Sequence, residues 1–179
     1  MLKVNAGESI LEIGFGTGHN LLRLADAVGE SGHVYGIDLS EGMLAIARSK
    51  VERTGFTKRV ELCCGDAAKL PYDSIMFDAI FSAFTLELFD APEIPVVLQD
   101  CWRVLKHQGR ICIASLSRQG KPNLMTRLYD WAHERFPISI DCRPIYVRQA
   151  LYDAGFKLRQ FAYRSMWNLP VEIAIGIKG

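Results

Sequence analysis

The sequence predicts an α/β fold, a parallel sheet covered by helices on both faces, and three observations carry that expectation. Apolar strand-like runs alternate with helix-like periods along the chain. Each run closes in Gly or Asp just before a helical period begins, the order that parallel strands joined by crossover helices impose. A length of 179 residues suits one domain whose core needs no staples, and no internal repeat or low-complexity linker offers a boundary. Residues 1–179 are therefore expected to form a single domain, with 117–144 inserted as a cap over its substrate side.

Element by element, the first strand reads Ser9-Ile10-Leu11-Glu12-Ile13. The helix after it places Leu21, Leu22, Ala25 and Val28 on one face and stops at Gly29. His33 to Ile37 gives a second strand, followed by a helix with Ser40 as N-cap that buries Met43, Leu44, Ala47 and Val51 and ends at Gly55. Val60 to Cys64 is the third strand and Phe77 to Phe81 the fourth, with a turn-rich stretch around Pro71 and Asp73 between them. A helix from about Pro92 to Leu105 buries Leu98, Cys101, Trp102 and Leu105, its prolines tolerated because they sit at the start. Arg110 to Leu116 is strand five. The rhythm breaks between Ser117 and Pro144, where Leu124, Leu128, Trp131 and Arg135 share one helical stripe. A short helix with Ala150, Leu151 and Ala154 ends at Gly155, and Phe156 to Tyr163 with Val171 to Ile177 make a closing hairpin around Trp167 and Pro170.

Hydrophobic residues make up 49% of the chain and charged residues 23%, ordinary usage that argues against disorder or a fibrous repeat. A net charge of +1 without long like-charge blocks lacks the basic footprint of a general nucleic-acid binder, which leaves a small-molecule or lipid-like partner. The five cysteines, Cys63, Cys64, Cys101, Cys112 and Cys142, show no CxxC pairing and lie mostly in apolar stretches. Reduced thiols, no metal centre and a cytoplasmic location are expected. No signal-like start and no bilayer-length apolar run is present, so the chain is expected to be soluble, with transient membrane contact left open.

After the first strand, Gly14-Phe15-Gly16-Thr17-Gly18 supplies three glycines at alternating positions, which permits a tight turn and close backbone approach to a nucleotide-like ligand. His19 stands where the dinucleotide fingerprint needs glycine, so pyrophosphate binding is disfavoured. Glu12 would repel a pyrophosphate and attract a cation, so the ligand is expected to carry positive charge. Asp38 closes the second strand, where a carboxylate can accept hydrogen bonds from both hydroxyls of a ribose. Asp66 closes the third, placed to accept from a base amino group while Leu39 and Met43 offer the ring apolar faces. Plainer readings stand beside these: the turn is purely structural, Glu12 caps a helix or pairs with a lysine, Met43 is core, and His19 merely opens its helix. Glu87 faces either substrate or solvent, and Trp131, Phe136 and Trp167 form either a lipid-facing group or core packing.

The order and spacing of these motifs resemble class I S-adenosylmethionine (SAM)-dependent methyltransferases from Glu8 to Ile177. Ile10 to Gly18 resembles their first motif, Gly36-Ile37-Asp38-Leu39-Ser40 their acidic ribose motif and Gly65-Asp66-Ala67 their adenine motif. Leu70-Pro71-Tyr72, Phe77 to Ser82, and Arg103-Val104-Leu105-Lys106 leading to Gly109 match further. Within the superfamily the chain is most similar to the methyltransferase type 11 branch, which contains quinone-biosynthesis and phospholipid N-methyltransferases. The resemblance implies a Rossmann-like, seven-stranded, mostly parallel sheet with an antiparallel last strand. It implies SAM as cofactor and S-adenosyl-L-homocysteine as product, with a small-molecule or lipid-like methyl acceptor. Glu12, Gly14, Phe15, Gly16, Gly18, Asp38, Leu39, Met43, Asp66 and Ala67 would hold the cofactor, and Ser82, Ala83 and Phe84 would border the methyl group.

Methyl transfer from a sulfonium is an in-line displacement that alignment and water exclusion can drive, so no catalytic base is obligatory. Where the nucleophile must lose a proton, His133, Asp141 and Tyr146 near the cap are the candidates. Two rival readings remain. A non-catalytic SAM-binding or assembly protein is suggested because the chain begins almost at its first strand, where many relatives carry a covering helical segment. An NAD(P)-dependent reductase shares the βαβ layout and Asp38, but His19 opposes it. Ser82-Ala83-Phe84-Thr85 also lacks the acidic-or-Asn, Pro, Pro, aromatic pattern of amino-methylating DNA enzymes.

Overall fold

Periodicity turns into strands and helices much as these patterns predict, and the computed structural model describes residues 2–117, 144–166 and 169–179. The strands are β1 (Ser9–Ile13), β2 (His33–Asp38), β3 (Val60–Cys64), β4 (Phe77–Ala83), β5 (Leu105–Leu116), β6 (Lys157–Met166) and β7 (Leu169–Ile177). They form one seven-stranded sheet in the order β3-β2-β1-β4-β5-β7-β6. β1 to β5 pair in parallel, and β7 runs antiparallel between β5 and β6. This is the Rossmann-like sheet with a reversed last strand that the motifs imply.

The described helices are α1 (His19–Val28), α2 (Glu41–Thr54), α3 (Ile94–Val104) and α4 (Val147–Asp153). Successive strand residues point to opposite faces, so Ile10 and Leu11 of β1 enter different clusters. Ile10 packs with Leu21, Ala25 and Val28 of α1 and Ala47 of α2, whereas Leu11 belongs with Leu98 and Cys101 of α3 and Leu151 of α4. The sheet is thus covered on both sides. Ser40 caps α2 as predicted, its Oγ accepting from the Met43 N–H at 3.3 Å.

Several details differ from the expectation, and strand pairing explains the two shifted boundaries. α1 buries Leu24 with Leu21, Ala25 and Val28, while Leu22 is only half-buried. α3 stops at Val104, and Leu105 instead opens β5 by pairing with Phe77 across a bulge, five residues before the predicted start at Arg110. The closing loop is shorter than predicted because Ser165 and Met166 pair with Pro170 and Leu169, so Pro170 sits within β7. Trp167 lies outside the described residues, as do the cap residues 118–143 with Trp131, His133, Phe136, Asp141 and Cys142. No helix among the described residues is long and apolar enough to cross a membrane.

The two edges of the parallel sheet have different jobs. At the amino edge, Arg110 on β5 pairs with Glu8 at 2.6 Å and Lys106 with Asp78 at 2.9 Å, while Asp78 also accepts from the Ser9 N–H. At the carboxyl edge the strands open into loops that surround a cleft.

Candidate functional site

Each parallel strand delivers its last residues to the same edge, so loops far apart in sequence meet around a cleft of about 520 Å³. The first turn contributes Gly14 and Gly16, and the end of β2 contributes Asp38 and Leu39. Met43 comes from α2, Asp66 and Ala67 follow β3, and Ala83 with Phe84 closes β4. Nine of the thirteen residues singled out from the sequence therefore line one cavity; the other four sit behind it.

Gly14 holds φ +71°, and a Cβ there would fall 2.0 Å from the Thr85 Oγ1, so the turn passes where only glycine fits. Gly16 donates its N–H to Asp38 Oδ2 at 2.8 Å, and Asp38 Oδ1 accepts from the Ser40 N–H at 2.9 Å. One carboxylate thereby ties the glycine turn to the loop after β2, and each oxygen keeps a lone pair for a further donor. Asp66 is exposed, its Oδ1 accepting from the Ala68 N–H at 2.8 Å. Leu39 beside the cleft is 76% exposed, a large apolar surface left facing the cavity rim. Phe84 takes φ +57°, a left-handed conformation unfavourable for a bulky residue, at the point where β4 turns away from the sheet.

The four residues behind the cavity have other contacts. Phe15 is buried in the α1 side of the core, where its ring fills the space that a side chain at Gly36 would need. Gly18 lies against Ala47, which lets α1 approach α2. Ser82 is buried within β4. Glu12 is 1% exposed, immediately before the cleft-lining Ile13, and its Oε2 has no hydrogen-bond partner among the described residues. Burial pushes its carboxyl up to about 8, against a hydrogen bond from Asn20, with the nearby Asp38 charge adding to the rise. Such an acid holds its proton at neutral pH, and a cation placed beside it would draw that proton off.

Sequence reasoning missed part of the wall. Thr85, Leu88, Phe89 and Glu93 also line the cleft, carried there by the 3-10 turn Leu86–Leu88. The signal available was only that a loop follows strand four. Glu87 in that turn faces neither solvent nor open cavity but is buried. Tyr146, a candidate base, is 48% exposed and lines a separate apolar groove of about 420 Å³ between α3 and α4, not the glycine cleft.

A methyltransferase-domain family matches the sequence over residues 10–109, more than half of the chain. The chain belongs to that family. This methyltransferase domain is 39% identical over 134 residues to a demethylmenaquinone methyltransferase of Shouchella clausii, an alignment covering 75% of this chain and 55% of that protein. The chain spans about half the length of the curated relatives it matches. A solved SAM-dependent methyltransferase from Methanosarcina mazei superposes with a TM-score of 0.81 at 19% identity, covering 98% of this domain and 94% of that chain. The cyclase SpnF superposes with a TM-score of 0.79 at 20% identity, covering 98% and 78%. Such distant likeness establishes the fold and not the chemistry. The unpartnered Glu12 oxygen beside the glycine turn fits a molecule that bears sulfonium and ammonium charge, as SAM does.

Proposed function

We propose that this domain moves the methyl group of SAM to a small-molecule acceptor, and that the acceptor is an aromatic quinol of the demethylmenaquinone type. The observation carrying the first part is the buried Glu12 carboxyl with a free oxygen at the root of a glycine-lined, two-aspartate cleft. When bound there, SAM supplies a methyl on a positively charged sulfur, and the sulfur departs as a neutral thioether.

The chain's own residues bind and orient. Asp38, already held by two backbone N–H groups, presents its remaining lone pairs to the ribose hydroxyls. Leu39 and Met43 flank the adenine, and Asp66 with the Ala67 backbone meets its polar edge. Gly14 and Gly16 let the backbone come close to the amino-acid portion, and Glu12 balances its charge. Ala83 and Phe84 border the methyl group, where alignment and exclusion of water supply rate.

The acceptor reading rests on relatives named demethylmenaquinone methyltransferases and on one feature of the surface. Phe89 lines both the glycine cleft and the apolar groove between α3 and α4, so the two lie side by side and the groove offers an apolar surface next to the cleft. Because a cyclase shares this fold, cofactor binding and methyl transfer are measured separately. Calorimetry on cofactor-free protein is expected to detect SAM and S-adenosylhomocysteine binding, and labelled SAM is expected to pass its methyl to a demethylmenaquinone. Absence of any cofactor binding overturns the function; binding without transfer overturns the acceptor.

A further inference from the structure

Two loops of the cleft wall meet at one side chain. Thr85 lines the cavity together with Gly14 and Ala83, and its hydroxyl lies 3.2 Å from the Ala83 carbonyl oxygen and 3.5 Å from the Gly14 carbonyl oxygen. One carbonyl belongs to the end of β4 and the other to the first turn. Three oxygens are thus gathered around a single hydroxyl hydrogen, which serves only one carbonyl at a time. Thr85 stands at the N-cap of the turn Leu86–Leu88, where a threonine oxygen ordinarily accepts from an N–H two or three residues on. Here it makes no such bond, and no group among the described residues donates to its oxygen. The chain reaches this position through Phe84 at φ +57°, a conformation that a bulky residue keeps only where its surroundings impose it. The hydroxyl is thereby diverted from its own turn to the wall of the cleft, with its lone pairs left for a donor.

We infer that the Thr85 hydroxyl is a specificity-determining group of the cofactor site: its oxygen accepts a hydrogen bond from the ammonium of the ligand's amino-acid portion, so the cleft selects that ligand over the same nucleoside thioether without the amine. This rests on the proposed binding of SAM. An ammonium carries three donors and no acceptor, which matches a wall holding three oxygens and one hydrogen. The hydroxyl hydrogen goes to the Ala83 carbonyl, its nearer partner, which leaves the Gly14 carbonyl and the Thr85 lone pairs for the cation. Glu12, buried two residues before Gly14 with a free oxygen, adds to the preference for positive charge. An anionic group in the same place would meet only acceptors. Loss of the hydroxyl leaves the ammonium short of one charge-assisted bond as it is drawn out of water.

The test compares S-adenosylhomocysteine with its desamino analogue, in which hydrogen replaces the amino group, by calorimetry on wild type, T85V, T85S and T85A. Wild type is expected to bind the amine-bearing ligand about a hundredfold more tightly than the analogue. T85V keeps the branched shape and removes the hydroxyl, and is expected to lose about tenfold in affinity for S-adenosylhomocysteine and nothing for the analogue. T85S is expected to keep the wild-type preference. T85A carries the same comparison as T85V in a smaller side chain, free of any crowding of Gly14 by the added methyl. An unchanged preference in T85V and T85A overturns the inference, as does a loss shared equally by both ligands, because Thr85 would then only brace the first turn against β4. A T85S chain without the preference also overturns it, since the hydroxyl would not be what selects. Wild type that binds both ligands equally removes the ammonium contact and leaves cofactor binding standing. Wild type that binds neither brings down the proposed function itself.

Discussion

Glu12 makes the pH response of this domain unusual at the residue scale. Its carboxyl lies near 8 in the folded chain against an ordinary 4.5, so the folded state holds the proton more tightly than the unfolded one. The stability this proton contributes is complete below about 4.5 and lost as pH rises through about 8. Denaturant unfolding of the cofactor-free protein should therefore show stability falling from acid to mildly alkaline pH, and Glu12→Gln should remove that slope. A cationic ligand reverses the preference, so SAM binding at neutral pH is expected to expel the Glu12 proton. Calorimetry in buffers of different ionisation enthalpy reads it, and buffer-independent heats would contradict the assignment. The same variant is expected to weaken SAM binding by about tenfold to a hundredfold, the worth of a charge-assisted contact. The glycines separate in their costs. Gly14→Ala puts a methyl into Thr85 at a left-handed position and should cost about 3 kcal/mol or more from backbone strain and overpacking together. Gly16→Ala meets open space, so it should cost about 1–2 kcal/mol and show itself chiefly as lost affinity for S-adenosylhomocysteine. The glycine spacing and its acids were legible from the sequence, but the reason Gly14 must be glycine was not. Thr85 lies 71 positions away, and only the pairing of β1 with β4 brings it there.

At the scale of elements, α3 holds the loop that carries Asp66. Arg103 donates to the Tyr72 carbonyl at 2.7 Å and the Leu70 carbonyl at 3.0 Å while paired with Asp100, whose other oxygen accepts from the Leu70 N–H. Arg103→Ala breaks this clamp. With 37% of the side chain in water, the loss of stability should be only about 1–2 kcal/mol. The local effect should be larger: amide exchange is expected to quicken between Asp66 and Tyr72 and adenosine affinity to drop, and unchanged exchange there would argue that the loop supports itself. Arg103 stood in a recognisable motif, yet its partners did not, because a helix-to-loop clamp leaves no periodicity. The strands show the same division. Apolar runs marked where β1 to β4 lie, whereas the early start of β5 depends on Leu105 finding Phe77, a contact that hydropathy along the chain does not encode. Phe15 went to the core for a related reason: the space it fills is left by Gly36 on the neighbouring strand.

For the whole molecule, cofactor binding couples to unfolding. Saturation at about a hundred times Kd adds about 2.7 kcal/mol, which should raise the melting temperature by roughly 5–10 °C. SAM or S-adenosylhomocysteine should do this and NADH should not; stabilisation by NADH would restore the reductase reading that His19 opposed. The architecture was the most legible feature of all, since a seven-stranded, mostly parallel sheet with a reversed last strand follows from motifs whose sequence order resembles that of a known fold. The acceptor was the least legible, because the residues that would choose it come from turns and grooves assembled only on folding. The split between the two rims of the sheet has a further effect. The ion pairs of Arg110 with Glu8 and of Lys106 with Asp78 sit at the rim away from the cleft. Erosion of either pair lowers the melting point and leaves ligand affinity alone, so heat tolerance and catalysis can drift independently in descendants of this chain.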